Sequence, residues 1–151
     1  MPRPQVTEDD YAALRGFFAY FAAAELGLPD AVAPLEALEL QAPKRAASGL
    51  GLAIQDCLEL SADFGAARIR AADEALAVRG LPTLSQVRLV YWRRVQVVLA
   101  RGAVRTEAER VALRGLADSA VGDEIRARCL ALLEADEARG ARRLGWAGPP
   151  G

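Results

Sequence analysis

Asp56, Glu59 and Asp63 follow one another at steps of 3 and 4 residues in a stretch with helical periodicity, spacing that brings side chains onto one helix face. A row of this kind can hold a divalent cation when acids from a second helix complete the oxygen shell, or it can divide into a general acid and a base. A solvated helix face carries the same pattern, so the row alone assigns neither a metal nor a catalytic pair, and no cofactor is expected. The chain has no histidine, which removes Ser–His–Asp and Cys–His machinery and the usual histidine-containing metal sites. Two cysteines cannot build a structural zinc site. The apolar neighbours of Cys57 and Cys129 mark them as small core residues of a reducing compartment. Ser48-Gly49-Leu50-Gly51 lacks the Gly-Lys-Ser/Thr ending of a phosphate loop, and no strand precedes it. An enzyme is therefore not the expected reading.

The second group able to do chemistry is cationic. Residues 91–101, YWRRVQVVLAR, set two aromatics beside two arginines, and the 88–114 region holds seven arginines against Glu107 and Glu109, a net +5. Arg93, Arg94, Arg101, Arg105, Arg110 and Arg114 are the candidate contacts to nucleic acid, with Arg88 counted in the same region. On a helical wheel these arginines do not form one continuous stripe, and Leu84, Val87, Tyr91, Val95 and Val98 align as a core face. With Leu89, Val90, Trp92 and Val97 on the other side, the helix reads as a central, buried one. Arg88 lies near the core face and needs a partner there. Asp56 or Glu59 is the expected carboxylate of a buried ion pair.

Helices must position all of these residues, and their punctuation is legible. Thr7 precedes three acids, and Thr83-Leu84-Ser85-Gln86 and Thr106-Glu107-Ala108-Glu109 have the form of capping boxes. Pro34 and Pro43 suit first turns, and Gly27, Gly80 and Gly102 suit helix ends. These signals predict helices over about 7–26, 34–40, 43–60, 84–101, 107–117 and 123–139. A further one is capped by Ser61 or Asp63 and runs to Val78. Alternating β-branched runs are absent. The short linkers favour antiparallel neighbours. The expected architecture is all-α: a compact single-domain bundle of about five to seven helices over residues 1–139, followed by a flexible Gly/Pro-rich tail over 140–151 that contains Trp146.

Composition agrees. The 151 residues are 52% hydrophobic, drawn mostly from alanine, leucine and valine, and suffice for one core. Lys44 is the single lysine among eighteen arginines, an alanine- and arginine-rich bias of bacterial character that says little about arginine chemistry. Residues 1–64 hold ten acids and four bases, a net −6 against the basic region, so the halves can attract each other or display opposite surfaces. The acids at 8–10 do not suit a secretory leader, and the apolar run 17–28 contains Glu25 and is too short to span a membrane. The expectation is a small cytoplasmic interaction or regulatory protein that binds a protein partner or itself through apolar helix faces, with no membrane contact. The alternative is a nucleic-acid-binding protein using residues 88–114.

Overall fold

The computed structural model describes residues 5–145. Among them the chain forms eight α-helices and one 3₁₀ turn, with no strand. They are α1 (Glu8–Ala24), α2 (Ala33–Gln41), the 3₁₀ turn (Pro43–Arg45), α3 (Ala46–Leu60), α4 (Ala66–Val78), α5 (Leu84–Tyr91), α6 (Arg93–Arg101), α7 (Glu107–Ala117) and α8 (Asp123–Arg143). No helix among the described residues is long and apolar enough to cross a membrane.

The eighth helix arises because residues 84–101 form two helices instead of one. Trp92 has ψ near 99°, an extended value that stops α5 and restarts the chain as α6. The indole explains the break. In a continuous helix Trp92 would project roughly 100° away from Tyr91, on the side of Leu89, which is exposed. The extended residue instead turns the indole into the core, where it is completely buried. Leu89, Val90 and Val97, expected to be covered, are exposed.

The caps follow simple chemistry. Thr7 accepts from the Asp10 N–H, and Thr83 and Gln86 form a complete reciprocal capping box. Thr106 accepts from the Glu109 N–H, but the Glu109 carboxylate turns instead to Arg101 and the Arg105 N–H. Neither Ser61 nor Asp63 caps α4, whose N-cap is Gly65. Ser61 closes α3, donating its hydroxyl to the Cys57 carbonyl. At the other end of the chain α8 runs on through Gly140 to Arg143, because Ala141, Arg142 and Arg143 are strong helix formers and Arg139 docks on the Val104 carbonyl. Trp146 and the rest of the expected tail lie outside the described residues.

One core joins all eight helices, with Leu35 of α2, Val95 and Val98 of α6 and Cys129 and Leu133 of α8 buried beside residues of α1, α3, α4, α5 and α7. Leu14, Phe17, Phe18 and Phe21 of α1 are buried, with Phe17 stacked on Phe21 at 5.1 Å between ring centroids. The apolar face of α1 is thus consumed inside the monomer. Helix α2 is tied to α1 by Glu39, which accepts from both the Arg15 guanidinium, at 2.8 and 3.0 Å, and the Tyr11 hydroxyl at 2.6 Å.

Candidate functional site

Two places gather the polar residues singled out above. The first is interior. Arg88 is fully buried, but no carboxylate among the described residues forms an ion pair with it. Its Nη2 donates to the Ser61 carbonyl at 2.5 Å, and its Nη1 donates to the Gly115 carbonyl at 2.9 Å and the Ser119 hydroxyl at 3.1 Å. Asp56 and Glu59 are not its partners. The Ser61 and Gly115 carbonyls belong to the C-terminal ends of α3 and α7, where the helix dipoles are negative and the last carbonyls lack intrahelical donors. One cation thereby serves two helix ends, and the Trp92 ring covers it at 4.9 Å. Burial still pushes the Arg88 pKa down to about 10, against the opposing pull of Asp73, Asp118 and Asp63.

Gly115 makes this approach feasible. A Cβ there would lie 2.7 Å from the Ala62 carbonyl oxygen and 3.2 Å from Arg88 Nη1, so only glycine lets α7 come this close. A neighbouring network continues through Ser85, which donates from N and Oγ to Asp73 and accepts from the Ala120 N–H. These polar groups lock α3, α5 and α7 together.

The second place is an open groove of about 350 Å³ between α3 and α6, lined by Leu52, Gln55, Asp56, Glu59, Arg93, Arg94, Val97 and Glu109. It continues past Leu52, Gln55 and Arg93 into a second hollow beside Val6 and Gly51. The carboxylate row is divided here. Helix α3 ends at Leu60, so Asp63 leaves the helical face and lines a separate hollow with Arg110 and Arg114. No cluster of three or more metal-ligating side chains occurs among the described residues. Glu59 accepts from Arg94 Nε at 2.8 Å and from the Trp92 indole at 3.4 Å.

Of the six candidate nucleic-acid contacts, Arg94, Arg101 and Arg110 are held by carboxylates. Arg101 makes a two-pronged contact to Glu109 at 2.8 and 3.1 Å, and Arg110 reaches Asp136 at 2.5 Å and Glu107 at 2.8 Å. Arg93, Arg105 and Arg114 are exposed and without ion pairs among the described residues. Arg93 faces the α3–α6 groove, whereas Arg114 faces the hollow with Asp63, so they do not make one cationic surface.

Gln55 was hidden among the polar positions of α3. Its Nε2 donates to the Tyr91 carbonyl at 2.5 Å and its Oε1 accepts from the Arg93 N–H at 3.0 Å. Both backbone groups flanking the Trp92 break are therefore satisfied by one side-chain amide. A Gln55→Leu protein is expected to lose about 1–3 kcal/mol, since both groups lose their protein partner. Urea denaturation measures the loss, and an unchanged midpoint would remove this role.

Glu109 is nearly enclosed, and the Arg101 guanidinium, helped by the Arg105 and Thr106 backbone, holds its carboxyl below the ordinary value of 4.5. The unfolded chain thus binds a proton at this position at higher pH than the folded chain does. The stabilisation is present above pH 4.5 and is lost as pH falls through the lower folded value. Glu109→Gln is expected to flatten the acid limb of a Tm-against-pH curve relative to the parent; parallel curves would contradict the assignment.

Among the described residues lining the groove there is no serine, threonine, cysteine or lysine, and its carboxylates are those of Asp56, Glu59 and Glu109. Burial raises the Cys57 thiol to about 12, far from a reactive thiolate. Comparison with known proteins finds no matching family model, no matching curated protein and no matching solved structure.

Proposed function

We propose that this protein is a non-catalytic interaction module that binds another protein or a second copy of itself. One observation carries the reading. In the α3–α6 groove Gln55, Glu59, Arg94 and Glu109 are spent on internal contacts, while Leu52 and Val97 stay 63% and 47% exposed. A groove in which four of the six polar side chains are occupied and the apolar ones are free suits docking better than chemistry. The two free, buried cysteines suit a cytoplasmic setting, where thiols stay reduced.

Nucleic-acid binding is the second reading, favoured by Arg93, Arg105 and Arg114, which make no ion pair among the described residues. Light scattering at two salt concentrations, with and without a short mixed-sequence DNA duplex, separates the two. The interaction reading expects a mass indifferent to DNA. A complex with duplex at low salt that dissociates at high salt would replace it with the second reading, because phosphate contacts release counterions.

A further inference from the structure

We infer that the α3–α6 groove is the contact face of a two-fold homodimer, in which Arg93 of each copy meets Asp56 of the other across Leu52 and Val97. The inference rests on the interaction reading above and names its occupant. Arg93 and Asp56 are both exposed, line the same groove and make no ion pair among the described residues. They sit beside the exposed side chains of Leu52 and Val97. A surface with one uncompensated cation and one uncompensated anion around an apolar centre complements itself when rotated by a two-fold axis, as an isologous interface requires.

The position of Arg93 supplies an independent reason for a carboxylate from outside. It is the first residue of α6, which has no acid in its first turn and no side-chain N-cap, so its positive charge lies at the positive end of a helix dipole. Arg94, next to it, has Glu59 as a counter-ion at 2.8 Å. Arg93 has none. A partner's Asp56 would provide the missing negative charge, and the partner's Leu52 would cover apolar surface that water now touches. A stable interface takes roughly 800 Å² from each partner, so the adjoining hollow around Val6 and Gly51 would be covered as well.

Charge exchange tests this on the full chain. Arg93→Asp leaves two acids facing two acids across the axis, and Asp56→Arg leaves two bases facing two bases. Each single variant is expected to raise the dimer dissociation constant about tenfold or more, measured by sedimentation equilibrium. Arg93→Asp adds a first-turn acid to α6 and Asp56→Arg alters an exposed helix position, so both variants should fold. Mixing the two variants in equal amounts restores both opposite-charge contacts and should return heterodimer at the parent's affinity. Leu52→Asp should weaken the dimer without rescue by either. A parent chain that stays monomeric throughout overturns the inference, while binding to a different protein would still stand. A dimer unaffected by all three substitutions also overturns it and leaves self-association through some other face.

Discussion

A Trp92→Ala protein is expected to be about 3–5 kcal/mol less stable than the parent. The indole is completely buried, and its far edge lies 3.6 Å from where a Gly115 Cβ would be. Truncation removes apolar surface from the core and leaves a cavity between α5 and α7 that rigid helices fill only in part. It also withdraws the Nε1–H from Glu59 and uncovers one face of the Arg88 guanidinium. Alanine, a strong helix former, further lets residues 84–101 run on as one helix, pulling the Tyr91 carbonyl and the Arg93 N–H away from Gln55. Chemical denaturation measures the effect. A loss below about 1 kcal/mol would mean that the break is not held by the indole.

Arg88→Met is the second large loss, with about 3 kcal/mol expected. Methionine restores much of the volume and removes a costly buried charge, which by itself favours the variant. The carbonyls of Ser61 and Gly115 remain, however, and methionine offers them no donor. Each carbonyl keeps one other donor, the Phe64 N–H for Ser61 and the Ser119 hydroxyl for Gly115, but each loses a charge-assisted hydrogen bond worth about 1.5–3 kcal/mol, so the loss at two helix ends exceeds the gain from removing the charge. The Arg88 Nε has no hydrogen-bond partner among the described residues, so the parent already carries part of the desolvation cost. Arg88→Lys should not rescue the protein, because one ammonium cannot reproduce the planar fork that reaches both helix ends. A methionine variant as stable as the parent would show that the two helix ends do not depend on this cation.

How much of this was legible beforehand depends on whether the signal was local. Thr7, Thr83 and Thr106 announced their helices because a cap bonds to backbone two or three residues away. The buried position of Arg88 was readable from the wheel for the same reason. Its partners were not, because carbonyls at the ends of α3 and α7 carry no side-chain identity that a sequence can display. Carboxylates are conspicuous in a sequence, which is why Asp56 and Glu59 stood out; peptide oxygens at helix ends supply the same negative potential invisibly. The break at Trp92 has no glycine or proline to mark it and follows a well-formed capping box; the five valines, Tyr91 and Trp92 of residues 84–101 give only moderate helix propensity, which tertiary packing overrode. Within the groove, Asp56, Glu59, Arg93 and Arg94 were identified individually as charged residues. Their assembly with Leu52 and Val97 depends on how α3 crosses α6.

The amide of Gln55 bears on how the chain reaches its native state. Thirty-six residues separate it from Tyr91 and thirty-eight from Arg93, so the start of α6 is registered by a contact far away along the chain. Closing so large a loop has an entropic cost that short-range helix formation does not face. The 84–101 segment alone would be free to wind straight through Trp92, and the bend must await α3. In hydrogen exchange, the Arg93 amide should therefore open together with α3 and not with its own helix, as part of a cooperative unit that local sequence does not delimit.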